Sequence, residues 1–306
     1  MKTAAFSLVV LTLNVAGPRL LHQGWPTRRE AIVSRLKTAA ADAAAFQEVW
    51  RSADLEALGE AAGHPHRAQA AALGVAVTSR LPIVSSASRD LGGGYGALYA
   101  RLGAGKREID VCSARLERGD GPAAARRLGQ LFRLAEFVRA ESAARPFILL
   151  GDLGVAADER EPALLLDLLE ARDLCVSHGD EMCGRTLGER RMDYALIPYS
   201  PKAPRENARA AFTDLLADED DASPRFGLRA RLDERLLRLM PVLRPPGRDE
   251  ALAAIAEAVE DARADAARRG AEAGWVPFIG ARDEAAAQDD ATRLLELKEE
   301  IASARR

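Results

Sequence analysis

Four polar residues stand where apolar runs end or begin. Asn14 closes LVVLTLN, Glu48 follows AAFQ, Asp152 closes FILLGD and Asp193 opens DYALI. In layered α/β folds the ends of strands converge on a cleft. A cluster of carboxylate and amide oxygens is what a hard cation such as Mg²⁺ binds. Such an ion orients a phosphate and offsets the negative charge that develops on it. Each of the four, taken alone, reads equally as a cap, a turn residue or a surface ion-pair partner. Their joint placement at four strand ends is what points to chemistry.

The elements that must position them follow from periodicity and punctuation. Residues 6–14 are rich in Val and Leu and read as a buried first strand. Thr27 and Glu30 match a T-x-x-E capping box, so a helix is expected from there, with Ile32, Val33 and Leu36 on its apolar face. AAAFQEVW reads as a short strand. Ser52 caps a second helix that Gly63 stops. LGVAVTSRLPIV reads as a strand broken at Pro82, and GYGALYARL and EIDVCSARL as a hairpin through the turn GAGK. A long helix follows with Pro122 near its first turn. Then come the strand PFILLGD, the helix PALLLDLLEARD and the strands RMDYALIP and RFGLRARL. Strands mixed with helices throughout predict an α/β fold with sheets inside and helices outside. The hairpin makes the sheets mixed rather than purely parallel.

From about residue 233 the composition shifts to Ala-rich, charged segments. Leu252, Ile255, Ala256 and Val259 share one helical face, and Leu294, Leu297 and Ile301 another. The expected organisation is a body over residues 1–232 and a helical C-terminal extension over residues 233–306.

The chain has 306 residues, 48% of them hydrophobic, and a formal net charge of −3. No sustained Lys/Arg run appears, so the electrostatic footprint of a nucleic-acid binder is missing. No apolar run reaches the roughly 18 residues that suggest a membrane span. Cys112, Cys175 and Cys183 are the only cysteines. So sparse a set fits a reducing compartment, with a Cys175–Cys183 bridge left open. The N-terminus carries Lys2 and then an apolar run, but no small-x-small cleavage site follows. A cytoplasmic protein is expected. A short signal peptide is the other reading, and its cleavage near residue 17 would remove Asn14.

LTLNVAG, AAFQEVW, GVAVTSRLPI, ILLGDLG and RRMDYALIP, in this order, resemble the endonuclease/exonuclease/phosphatase superfamily. GGGYGALYARL, SARLE and RRLGQLFRLAEFV resemble its neutral-sphingomyelinase (phospholipase C) branch. The resemblance spans about residues 5–232. It implies a four-layered α/β sandwich, two mixed sheets flanked by helices, and descent from Mg²⁺-dependent phosphodiesterases. By the family pattern Asn14 and Glu48 form the metal-binding pair for one Mg²⁺. Asp152 is the acid of the Gly-Asp-x-Asn motif, and Asp193 is the acid before Tyr in the catalytic polar network.

The departures from the pattern are as specific. Gly-Asp-x-Asn reads GDLG, so Gly154 stands for a substrate-binding Asn. Thr-His-Leu reads ARL, so Arg115 stands for a phosphate-contacting His. The closing Ser-Asp-His reads SPR, so Pro224 stands for the orienting acid and Arg225 for the general acid/base His. Arginine stays protonated in proteins and cannot shuttle a proton. Loss of a general acid/base costs about 10²–10⁴-fold in rate. Two roles stay open for Arg115 and Arg225. They hold a phosphate bidentately, as guanidinium does well, or they neutralise Asp152 and Asp193 where a cation once sat.

The expected function is therefore that of a degenerate phosphodiesterase-fold protein, weakly active or inactive, binding a phosphorylated small molecule or lipid headgroup. Two alternatives stand beside it: an active hydrolase with rearranged groups, and an interaction protein acting through its tail. His22, His64, His66 and His178 are minor candidates for a substitute base. Gly92–Gly94 reads as a turn rather than a phosphate loop, since it lacks Lys-Ser/Thr and a following helix.

Overall fold

The computed structural model describes residues 7–18, 24–105, 107–142, 145–157, 159–169, 171–175, 186–187, 190–198, 208–213 and 227–233. Among them run β1 (Ser7–Asn14), α1 (Trp25–Ala39), β2 (Ala43–Gln47), α2 (Ser52–Ala61), β3 (His66–Ala70), β4 (Val75–Ser79), β5 (Ile83–Gly92) and β6 (Tyr95–Ala104). They continue with β7 (Arg107–Arg115), α3 (Pro122–Ser142), β8 (Phe147–Asp152), α4 (Arg160–Leu169), β9 (Ala171–Asp173), β10 (Asp193–Pro198), β11 (Ala208–Thr213) and β12 (Gly227–Asp233). The C-terminal extension lies outside the described residues.

Two six-stranded sheets stack face to face, with orders β11-β12-β1-β2-β4-β3 and β5-β6-β7-β8-β10-β9. Both are mixed. β1 and β2 run parallel because α1 carries the chain back between them, and β7 and β8 because α3 does. Helices cover the outer faces, giving the α/β sandwich that the residue pattern predicts.

Period-two alternation sorts the side chains into three cores. Leu8 and Val10 of β1, Val111 of β7, Ile148 and Leu150 of β8 and Ala195 and Ile197 of β10 fill the space between the sheets. The alternate residues Leu11, Leu13 and Phe46 pack under α1 with Trp25, Ile32 and Leu36. Tyr99, Cys112, Phe147, Leu149 and Tyr194 pack under α3 and α4 with Phe137 and Leu165. Side chains two apart on a strand share a face. Asn14, Gln47, Arg115, Asp152 and Asp193 therefore continue the inter-sheet face at the strand ends. Parity alone aims these polar residues between the sheets.

Several local expectations change. α1 begins at Trp25, with Pro26 in its first turn and no side-chain cap, so Thr27 lies inside the helix rather than capping it. Proline there costs no backbone bond, because the first N–H groups have no intrahelical partner. Ser52 is the first residue of α2 rather than its cap, and its hydroxyl meets Gln69 at 3.1 Å. LGVAVTSRLPIV divides between β4 and β5, and β3, β5 and β11 are strands that the sequence pattern did not single out. β5 is an edge strand whose repeated Ser and Ala leave it without apolar alternation. Cys112 is a buried free thiol and Cys175 is disulfide-bonded; Cys183 lies outside the described residues.

Candidate functional site

Asn14 is the centre of the cluster. Its amide nitrogen donates to Glu48 Oε1 at 2.8 Å and to Asp152 Oδ2 at 3.0 Å. Its Oδ1 accepts the Ala16 N–H at 2.9 Å. Turning the amide over would set its NH₂ against that N–H, donor against donor, so the Ala16 contact fixes its orientation.

Glu48 reaches this cluster by an unfavourable backbone. It follows the last residue of β2 with φ of +58°, and Ala16 across from it has φ of +48°. Such angles cost a non-glycine residue about 1–2 kcal/mol and gather at functional sites. Gly17 makes the bend possible: a Cβ there would lie 2.5 Å from the Glu48 carbonyl oxygen. Beneath it a buried polar ladder joins the sheets. Gln47 donates to Thr12 at 3.2 Å and to Ser113 at 3.1 Å, and Ser113 donates to the Phe46 carbonyl at 3.1 Å.

Asp152 and Asp193 face each other in antiparallel register, and Arg115 pairs with Asp152 in the parallel register on its other side. Asp152 Oδ1 accepts the Gly154 N–H at 3.1 Å, and Oδ2 takes Arg118 at 3.1 Å. Burial pushes Asp152 above the ordinary carboxylate range, opposed first by the Arg118 charge. Burial, and then the charge of Asp152, push Asp193 well above it, opposed by a hydrogen bond from Thr186 and by Arg118 and Arg191. Two buried acids this close do not both ionise readily.

Arg115 is 7% exposed and lies between aromatic rings, 4.3 Å from the Tyr95 centroid and 5.0 Å from that of Trp50. It also donates to the Gly94 carbonyl at 2.9 Å. Trp50 is held in turn by its Nε1–H bond to the Gly17 carbonyl at 2.9 Å. Cation–π stacking suits a planar guanidinium. Among the described residues, then, Arg118 rather than Arg115 is the arginine that meets Asp152. The sequence reading passed over Arg118, although a cation three residues past the β7 end in the loop ERGDG was a visible signal.

Gly154, which the family pattern reads as the place of an Asn, sits in a tight turn. Its φ is +66°, and a Cβ there would lie 2.2 Å from the Glu117 carbonyl oxygen. The loop after β7 packs directly on it.

The minor candidates separate from the cluster. His64 is buried, with Nδ1 2.7 Å from the Thr78 hydroxyl and Nε2 2.9 Å from the Ala41 carbonyl. His66 pairs with Ser79, which in turn pairs with Ala43 at the start of β2. That is the opposite end of the sheet, about 13 Å from Gln47 at ~3.3 Å per residue. His64 serves the fold, and His66 lies on the edge strand β3 away from the cleft. The Gly92–Gly94 stretch is the β5–β6 turn, all three residues with positive φ. His22, His178, Pro224 and Arg225 lie outside the described residues.

A closed cation site does not fit this arrangement. The Asn14 amide presents its NH₂, not its oxygen, to Glu48 and Asp152, and a guanidinium already meets the Asp152 charge. Among the described residues no group of three or more His, Cys, Asp or Glu side chains could hold a metal ion. Glu48, half-buried, is the carboxylate most open to solvent.

Comparison with known proteins bears on the same residues. No curated protein sequence matches the chain. Among solved structures, sphingomyelinase C from Streptomyces griseocarneus is 20% identical with a TM-score of 0.56, over 74% of this chain and 99% of that one. D. rerio TDP2, complexed with a single-strand DNA product, is 15% identical with a TM-score of 0.61, over 74% and 98%. Beta toxin from Staphylococcus aureus, with bound magnesium ions, is 15% identical with a TM-score of 0.58, over 74% and 100%. At such identities the likeness is one of fold. The model of the Endonuclease/Exonuclease/phosphatase family matches residues 11–239, which take in Asn14, Glu48, Asp152 and Asp193. On that match and this shared sandwich, the chain belongs to the Endonuclease/Exonuclease/phosphatase family.

Proposed function

We propose that this chain is a degenerate phosphodiesterase-fold protein, hydrolytically weak or inactive, whose cleft holds a phosphate-bearing small molecule or lipid headgroup. The observation that carries the proposal is the Asn14–Glu48–Asp152 cluster closed by Arg118. An amide and a guanidinium satisfy the carboxylates that would otherwise collect a cation. No histidine among the described residues stands near enough to take a proton from water. At residue 225 the family's base is replaced by an arginine, which stays protonated. Arg118, 39% exposed beside Asp152, supplies a positive group at the cleft for an anion.

A second reading is an active hydrolase with rearranged groups. The raised Asp193 favours it: burial, and then the charge of Asp152, push it well above the ordinary carboxylate range, the direction that suits a general acid. One assay separates the two. Hydrolysis of a chromogenic phosphodiester is followed with and without Mg²⁺ for the parent and Glu48→Ala, beside calorimetric titration of phosphate and phosphocholine. The first reading expects binding without turnover. Mg²⁺-dependent turnover that Glu48→Ala abolishes selects the second, with Glu48 and Asn14 at the ion.

The division near residue 232, with a helical extension beyond it, belongs to the same proposal. Loss of function on truncating the extension, with the cleft intact, would instead make it an interaction protein. Among the described residues no helix is long and apolar enough to cross a membrane. The cytoplasmic placement is carried as a proposal, against which the Cys175 disulfide weighs, because disulfides persist in oxidising compartments.

A further inference from the structure

The loop that carries Arg118 is braced from both sides by α3. Arg127, 1% exposed, donates to the Gly119 carbonyl at 2.8 Å and to the Glu117 carbonyl at 3.3 Å. Gln130 accepts the Glu117 N–H at 2.8 Å, and Arg126 holds the Glu117 carboxylate through two bonds of 2.6 and 2.8 Å. Arg127 also reaches Glu161 of α4 at 2.8 Å. The residues on either side of Arg118 are thus fixed to α3, which Arg127 ties in turn to α4, and its guanidinium is delivered to Asp152 from a clamped backbone. An ordinary exposed arginine loses side-chain entropy when it pairs, and such pairs are worth little. Here the backbone share of that ordering is already met by the brace, and the partner carboxylate is 3% exposed.

We propose that Arg118 is a built-in counter-cation. It takes the place on Asp152 that a divalent ion would take, and so keeps such ions out of the Asn14–Glu48–Asp152 cluster. Three observations support this. Asp152 is buried and needs a positive partner. Arg118 meets the same Oδ2 that Asn14 does. Glu48 lies across the shared amide, so an ion bridging both acids would have to displace Asn14 Nδ2. This inference concerns exclusion of ions and stands without any phosphate ligand.

The test is Mn²⁺ binding, read from the loss of the free-ion electron paramagnetic resonance signal, with no phosphate present. The parent, Arg118→Gln, Arg118→Ala, Arg118→Lys and the double variant Arg118→Gln/Glu48→Gln are compared. Arg118→Gln and Arg118→Ala should bind Mn²⁺ at least tenfold more tightly than the parent, and Mn²⁺ should raise their melting temperatures. Arg118→Lys, which keeps the charge, should gain less than the neutral variants. The double variant should lose the gain. Equal Mn²⁺ affinity in the parent and Arg118→Gln overturns the proposal. So does a folded Arg118→Gln with no gain, or failure of both neutral variants to fold even in excess Mn²⁺. A failed phosphate titration bears only on the ligand proposed above, and a failed Mn²⁺ gain only on the role of Arg118.

Discussion

Asn14, the last residue of β1, donates to Asp152, the last residue of β8, across 3.0 Å and 138 positions of sequence. The bond ties one sheet to the other at the cleft, and the same nitrogen binds Glu48. Asn14→Ala removes both contacts and leaves a buried carboxylate with one fewer donor. A loss of about 1–3 kcal/mol is expected, read as a lower urea midpoint with an unchanged slope. Asn14→Asp should cost more, because it adds a third carboxylate beside two. Equal stability of the two variants would contradict the hydrogen-bond geometry.

Glu48 holds its position against its own backbone. Glu48→Gly gives up one bond to Asn14, worth about 1 kcal/mol. It also relieves a left-handed φ at a residue with a Cβ, worth about the same. Its stability should fall within about 1 kcal/mol of the parent. Glu48→Ala loses the bond without the relief and should be less stable than Glu48→Gly by about 1 kcal/mol. Thermal melts of the three proteins check the order.

Gly154 decides whether a family-like Asn can return at that position. Alanine and asparagine would place the same Cβ 2.2 Å from the Glu117 carbonyl oxygen, at a φ of +66°. Both Gly154→Ala and Gly154→Asn should lose about 2 kcal/mol or more. The loop bearing Arg118 would have to move to admit either. A melt unchanged from the parent would show that the loop yields.

His64 makes stability pH-dependent. Burial lowers its pKa below the usual 6.5, against weaker raising by its bond to the Ala41 carbonyl. The unfolded chain therefore binds the proton more readily than the folded one. His64's contribution is complete above the unfolded pKa and is lost as pH falls through and below about 6.5. Urea midpoints between pH 8 and pH 5 should fall less steeply in His64→Gln than in the parent.

Thiol counts test the compartment. Three cysteines are present, with Cys112 free and Cys175 disulfide-bonded. The denatured chain should titrate one thiol without reductant and three after reduction. In the native protein Cys112 should resist modification, since burial raises its pKa and closes access. Three thiols without reductant would favour the reducing compartment.

The sequence by itself put Asn14, Glu48, Asp152 and Asp193 at strand ends. LVVLTLN and FILLGD are apolar on both faces, so only the packed sheets decide that Asn14, Asp152 and Asp193 point between them rather than under the helices. The ordered motifs also carried the sandwich architecture. What the sequence could not carry was partner choice at the strand ends. Arg115 ends β7 and Arg118 follows it by three residues, yet one lies between Trp50 and Tyr95 while the other takes Asp152. Nothing in their spacing ranks them. The difference comes from residues brought alongside: Trp50 between β2 and α2, Tyr95 at the start of β6, and the α3 side chains that clamp residues 117 and 119. Edge strand β5 was illegible for a related reason, since its fourfold Ser and Ala pattern shows no apolar alternation. Likewise Gly154 reads in sequence as the loss of an Asn, but only the packed loop shows that no Cβ fits. Local patterns fix which residues share a strand face. What a side chain meets there depends on chain segments far away in sequence, and only the folded structure sets that.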